Sequence, residues 1–269
     1  MITTNISQAN GAKAVYILGR RAASLQKTAD AAANGKIVPL VADITSQESL
    51  AAAAATVRAT EGFVDAVIAN SGVSAAEQSP YGLDGRIPPL SQVQSKLWSV
   101  PFDEFSRTFD VNVSGAFYTV VAFLDLLDAA NQRPATVPAR PKSQAIIMVS
   151  VSGFLRHPSP LASFGYVASK AGAIQMAKQL STAFAQYKIR VNAVAPGIFP
   201  SEMTEPYLSG ADIRLEGNLP AAICPLERSG GEDDIAGVTL FMISRAGAYL
   251  NGSVQVIDGG SLALYPASY

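Results

Sequence analysis

The 269-residue chain has one cysteine, Cys224, and one histidine, His157. The first excludes an intramolecular disulfide and any cysteine-built metal site. The second excludes zinc sites built from histidine clusters and argues against a Ser-His-Asp triad. Charge is scarce as well: 20 Lys+Arg against 21 Asp+Glu leave a net charge of −1, and charged residues are only 15% of the chain. A balance so close to zero is not that of a nucleic-acid or membrane-surface binder. No uncharged apolar run reaches the roughly 18 residues of a membrane span. The best candidate, Phe109 to Leu127, is interrupted by Asp110 and Asp125. Met1–Asn10 has neither a basic flank nor an apolar segment, so no secretory signal is visible. These absences point to a cytoplasmic globular enzyme of a small-molecule substrate, with no metal, nucleic-acid or membrane partner.

What is abundant is apolar, at 49% of residues. Short β-branched runs alternate with longer alanine-rich stretches. Strands are expected at Ala14–Leu18, Ile37–Ala42, Val64–Ala69, Ala145–Val149, Ile189–Val194 and Ser253–Ile257. Helices are expected at Ala22–Ala33, Gln47–Thr60 with Ser46 as N-cap, Phe102–Ala130, Ser163–Tyr187 and Glu232–Ser244. Near-continuous apolar strands separated by helices imply a doubly wound parallel sheet covered on both faces. No repeat or composition break divides the chain, so residues 1–269 read as one α/β domain. The loops Val73–Pro101 and Pro196–Gly231 exceed ordinary connections and are expected to serve the site.

The chemistry concentrates in Ser150-Val-Ser152-Gly153 and Tyr166-Val-Ala-Ser-Lys170. Tyr166 and Lys170, four apart on a helix, project from nearly the same face. An ammonium beside a phenol favours the phenolate, so Lys170 is expected to lower the Tyr166 pKa and make it a general acid/base. A serine hydroxyl at the carboxyl end of the preceding strand is placed to bond the same substrate oxygen.

These motifs resemble the short-chain dehydrogenase/reductase family, whose signature is Tyr-x-x-x-Lys preceded by a serine, with an asparagine upstream. The resemblance runs from about Gly11 to Gly260. It includes Asn70-Ser71-Gly72, Asp110-Val-Asn112-Val, Arg190-Val-Asn-Ala-Val-Ala-Pro196-Gly197, Leu226–Ile235 and Asn251–Gly260. It implies a Rossmann-like fold, Tyr166 as acid/base, Lys170 as its partner and a ligand of the nicotinamide ribose, and Asn112 holding a water in a proton relay. Ser150, with Gly153 three residues on, is the expected catalytic serine. The Ser-to-Tyr spacing suits Ser152 instead, unless Pro158–Ala162 is an insertion. Arg20 and Arg21 would face a 2′-phosphate, favouring NADP(H). Asp43 and Ile44 would meet adenine. Asn70, Gly72, Pro196, Gly197, Ile198 and Thr204 complete the implied cofactor contacts.

One family feature is absent. The resemblance starts at the family's second strand, and only ten residues precede it. The first strand, glycine-rich phosphate loop and helix need roughly 30 residues. The neighbouring strands Ala14–Leu18 and Val64–Ala69 therefore pair directly, or Met1–Ser7 fills the gap, or another chain does, or the sequence as given is truncated. Three functions remain in view. The first is an NADP(H)-dependent reductase or dehydrogenase of a bulky apolar substrate in secondary metabolism, its pocket supplied by Phe154, Leu155, Trp98, Phe199, Met203, Tyr207 and Leu208. The second is a cofactor-independent isomerase, epimerase or cyclase using the same Ser, Tyr and Lys. The third is a non-catalytic subunit, disfavoured by the retained polar site. The resemblance also implies a homodimer or homotetramer built on Phe102–Ala130 and Ser163–Tyr187.

Overall fold

Six short apolar segments form the strands of the computed structural model, which describes residues 11–32, 37–74, 88–134, 140–157, 162–201 and 212–269. They are β1 (Val15–Gly19), β2 (Ile37–Val41), β3 (Ala66–Ala69), β4 (Gln144–Met148), β5 (Arg190–Pro196) and β6 (Val254–Ile257). Every ladder is parallel. The strands form two sheets, β1-β2 and β3-β4-β5-β6. All five β4 residues are buried and the first six of β5 are too, as strands covered on both faces require.

The helices are α1 (Ala22–Asp30), α2 (Gln47–Thr60), α3 (Leu90–Trp98), α4 (Phe102–Phe109), α5 (Ala116–Ala122), α6 (Leu124–Gln132), α7 (Phe164–Ala183) and α8 (Glu232–Ile243). Ser46 caps α2 as expected, its hydroxyl accepting the Ser49 N–H at 3.1 Å. On one face of the larger sheet, Val120 of α5 and Ala173 and Ala177 of α7 pack with Ala145, Ile147 and Val191. On the other, Ile235 and Met242 of α8 pack with Ile146 and Val194. The strand alternation 145/147 against 146/148 sorts the side chains between the two cores. The α/β reading is borne out, with helices on both faces of a parallel sheet.

Three expectations need correction. The single helix over Phe102–Ala130 is broken into α4, a π-helix at Asp110–Gly115, α5 and α6. A repeat of 3.6 residues cannot reveal a π turn, which inserts one residue into the ladder. The segment Val73–Pro101, read as loop, contains α3. The helix over Ser163–Tyr187 ends at Ala183 and continues as a short 3-10 turn to Tyr187, closed by left-handed Lys188 (φ 57).

Among the described residues no strand lies between β1 and β3, and the two do not pair directly. A cavity of about 1000 Å³ is lined there by Val15–Leu18 and Ala66–Ala69. Met1–Ser7 lies outside the described residues. No single helix among them is long and apolar enough to cross a membrane.

Candidate active site

The site is assembled where β4 ends. Ser150 leaves the strand in an extended conformation (φ −164°, ψ 152°) and opens a 3-10 turn over Val151–Phe154, its Oγ accepting the Ser152 N–H at 3.1 Å. Gly153 lets that turn lie directly on α7. A Cβ there would fall 2.7 Å from Ile174 Cδ1 and 2.8 Å from the Lys170 carbonyl carbon. Only hydrogen fits, so Gly153 sets the depth of Ser150 against the Tyr166-Lys170 helix.

On α7, Ser163 is the N-cap, its Oγ accepting the Tyr166 N–H at 3.1 Å. This fixes the first turn, and with it the Tyr166 backbone. The Tyr166 phenol hydrogen-bonds Ser150. Of the two candidate serines, the structure therefore joins Ser150 to Tyr166, while Ser152 contributes its backbone N–H to the turn. Lys170 is 4% exposed. Its Nζ donates to the Met148 carbonyl at 2.9 Å and lies 5.6 Å from the Tyr166 ring centre.

The electrostatics differ from the expectation. Burial pushes the Tyr166 phenol above its ordinary value, opposed only by the Ser150 hydrogen bond. Burial also pulls the Lys170 ammonium down to about 8. Desolvation disfavours the charged form of each group. Lys170 faces a backbone carbonyl, and the phenol stays neutral.

Asn112 sits in the π-helix and is 2% exposed. Its Oδ1 accepts the Val73 N–H, and its Nδ2 donates to the Val73 carbonyl and to Ser169 Oγ, each at 2.9 Å. Ser169 Oγ in turn donates to the Tyr166 carbonyl at 2.8 Å. Asn112 thus ties the loop after β3 to α7, and its amide is committed to protein partners. Gly72 lies beneath this tie, where a Cβ would be 3.3 Å from both Asn112 Oδ1 and Lys170 Nζ. Ser169 was not singled out from the sequence because an interior helical serine has no distinctive signal.

The residues implied for a cofactor fall into two groups. Asp43, between β2 and α2, accepts from Thr45 N (2.9 Å) and Thr45 Oγ1 (2.7 Å) and is held below its usual carboxylate range by these bonds, with Arg20 and Arg107 assisting. Arg107 of α4 was not expected there. Arg20, Ile44 and Arg107 line one cavity of about 810 Å³. Arg21 precedes α1 as its N-cap residue. Asn70 lies at the end of β3 on the slot between the sheets. Gly197 follows Pro196 at the end of β5, where a Cβ would lie 2.8 Å from the Asp258 Cα. The Ile198 carbonyl accepts the Gly230 N–H at 3.0 Å. Thr204, Met203, Tyr207 and Leu208 lie outside the described residues.

A family model described as "Enoyl-(Acyl carrier protein) reductase" matches residues 3–261. The chain belongs to the short-chain dehydrogenase/reductase family. Short-chain dehydrogenase/reductase PhomF′ of Diaporthe leptostromiformis is 41% identical over 264 residues, 97% of this chain and 86% of that protein. Short-chain dehydrogenase/reductase SAT3 of Stachybotrys chartarum is 36% identical over 269 residues, 96% of this chain and 97% of that one. Among solved structures, the "Pseudomonas aeruginosa RhlG/NADP active-site complex" superposes with a TM-score of 0.78 at 26% identity, covering 97% of this chain and 91% of the other. In this short-chain dehydrogenase/reductase, an oxidoreductase by family, the C-terminal segment closes one side of the serine turn. Leu155 pairs antiparallel with Ala267, His157 stacks on Tyr265, and Phe154 meets Tyr269 edge-on. Phe154, expected to line a substrate pocket, is instead buried under this tail.

Proposed function

We propose that the chain is an NADP(H)-dependent oxidoreductase interconverting a ketone and a secondary alcohol on a bulky apolar substrate of secondary metabolism. The observation that carries this reading is the convergence of Ser150, at the end of β4, with Tyr166 and Lys170 of α7, fixed by Gly153. The Ser150 hydroxyl orients the substrate oxygen. The neutral Tyr166 phenol is the proton donor to that oxygen in the reductive direction. Lys170, protonated below about pH 8, stabilises the phenolate left behind. A bound dinucleotide would supply the hydride.

The described residues suit its two ends. Arg20 and Arg107 beside Asp43 offer guanidiniums for a 2′-phosphate, and the Gly72 loop leaves Lys170 Nζ an approach that a Cβ would fill. The RhlG structure is a complex with NADP, which supports the same choice.

NADPH consumption with a panel of aryl and polycyclic ketones tests the reading. The wild type is expected to turn over at least one of them, and Tyr166→Phe to lose more than about 90% of kcat, at least 1.4 kcal/mol of transition-state stabilisation. Equal rates for the two proteins would overturn the assignment.

A further inference from the structure

Both backbone polar groups of Tyr166 are met by serine side chains. Ser163 Oγ accepts the N–H at 3.1 Å, and Ser169 Oγ donates to the carbonyl at 2.8 Å. The first bond is a helix cap. The second lies inside α7, where a hydroxyl bonding back to the preceding turn does not strengthen the helix and alanine would be the better helix former. We propose that Ser169 is a positioning residue of the active site: through Asn112 it holds the turn after β3, and with it Gly72, against Lys170. This rests on the reading of Tyr166 and Lys170 as the reacting pair.

Donors and acceptors around Ser169 match one to one. Ser169 is 0% exposed and Asn112 2%. The serine hydroxyl has a single proton, which goes to the Tyr166 carbonyl, so towards Asn112 it acts as an acceptor. The Asn112 amide has two N–H groups to place. One goes to the Val73 carbonyl and the other to Ser169 Oγ, while Oδ1 takes the Val73 N–H. Removing the Ser169 hydroxyl strands an amide N–H in the interior, where no water replaces the lost partner.

Packing shows what the tie holds. Asn112 sits in the π-helix Asp110–Gly115, and the end of that helix is pressed on the segment between β2 and α2. A Cβ on Gly115 would fall 2.7 Å from Ile44 Cδ1. The π-helix is thus anchored to Ile44 at one point and to Ser169 at another, the latter on α7 between Tyr166 and Lys170. Gly72, next to Val73, carries the consequence. A Cβ there would lie 3.3 Å from both Asn112 Oδ1 and Lys170 Nζ, so its backbone packs against the ammonium that donates to the Met148 carbonyl. Burial lowers the proton affinity of Lys170, and no charged side chain contributes to that shift. Releasing the Gly72 turn would therefore let water reach the ammonium.

The test is a double-mutant cycle in the full chain, with Ser169→Ala, Asn112→Ala and the two together. Hydrogen exchange at the Val73 amide needs no substrate. It should quicken about five- to tenfold in Ser169→Ala, and in the double variant hardly beyond Asn112→Ala alone. Ser169→Cys keeps the side chain's shape but accepts weakly, and should match Ser169→Ala rather than wild type. The gain in stability from pH 7 to pH 9.5, which reports the burial of Lys170, should shrink by about a third in Ser169→Ala. With a ketone that the wild type reduces, kcat should fall about tenfold while KM moves less than about twofold. Unchanged Val73 exchange, additive effects in the cycle, a cysteine variant that behaves like serine, an undiminished pH gain or an unchanged kcat would each overturn the proposal. Turnover of no ketone by the wild type, with the exchange and pH results as expected, would instead remove the oxidoreductase reading and leave the role of Ser169 standing.

Discussion

Replacing Lys170 by methionine removes one charge from the interior while keeping the side chain's length, and its consequences for stability and activity point in different directions. The ammonium titrates at about 8 in the fold against an ordinary 10.5, because burial disfavours its charged form. Between these two pH values the unfolded chain holds a proton that the folded chain has released. Stability therefore rises with pH across that window, by about 1.4 kcal/mol per unit. From pH 7 to pH 9.5 the wild type should gain about 2 kcal/mol from this group. Lys170→Met should lack that gain.

At pH 7 the variant escapes a burial cost of about 3 kcal/mol. It loses the charged hydrogen bond to the Met148 carbonyl, worth about 1.5–3 kcal/mol. Its stability there should stay within about 2 kcal/mol of wild type, so its loss of turnover reports chemistry rather than unfolding. Urea unfolding of both proteins at the two pH values measures the difference in slopes, in which other titrating groups cancel. Turnover of the wild type should also decline above about pH 8 as Lys170 loses its proton. Parallel slopes for the two proteins would refute the assignment of the cost to Lys170.

Gly153→Ala forces a Cβ into the α7 backbone and should cost about 1–3 kcal/mol, with kcat falling more than KM rises as Ser150 is displaced; thermal unfolding and kinetics check both. Asn112→Ala removes three hydrogen bonds of about 1 kcal/mol each, and should speed hydrogen exchange at Val73 before it alters global unfolding. Sedimentation at micromolar concentration is expected to give a dimer or tetramer, consistent with Trp98 and Phe102 standing 88% and 86% exposed on α3 and α4; a monomer would contradict it.

Strand order and site differ in how far the sequence displays them. The strand segments were readable within a residue or two, because fully buried parallel strands are written as unbroken apolar runs such as Ala145-Ile146-Ile147-Met148. Tyr166 and Lys170 were readable because their spacing is the helix repeat. The π-helix at Asp110–Gly115 was not, since it changes the repeat itself. Arg107 beside Asp43 was hidden because their meeting depends on tertiary packing across more than 60 positions. The phenol's environment was misjudged for a related reason. Spacing places Lys170 near Tyr166, but burial of both groups and the Met148 carbonyl decide the proton affinities.

The tail that lies over the serine turn couples residues 265–269 to that turn. The Ser268 N–H donates to the Phe154 carbonyl at 2.8 Å, the Arg156 N–H to the Pro266 carbonyl at 2.9 Å, and Tyr269 rests on Phe154. Phe154 closes the turn that Ser150 opens, so any movement of the serine would reach Tyr269 within a few bonds. Tyr269 is still 72% exposed. A fluorophore attached at that position stands in water with its anchor on the serine turn, and a bulky group there would press on the same turn.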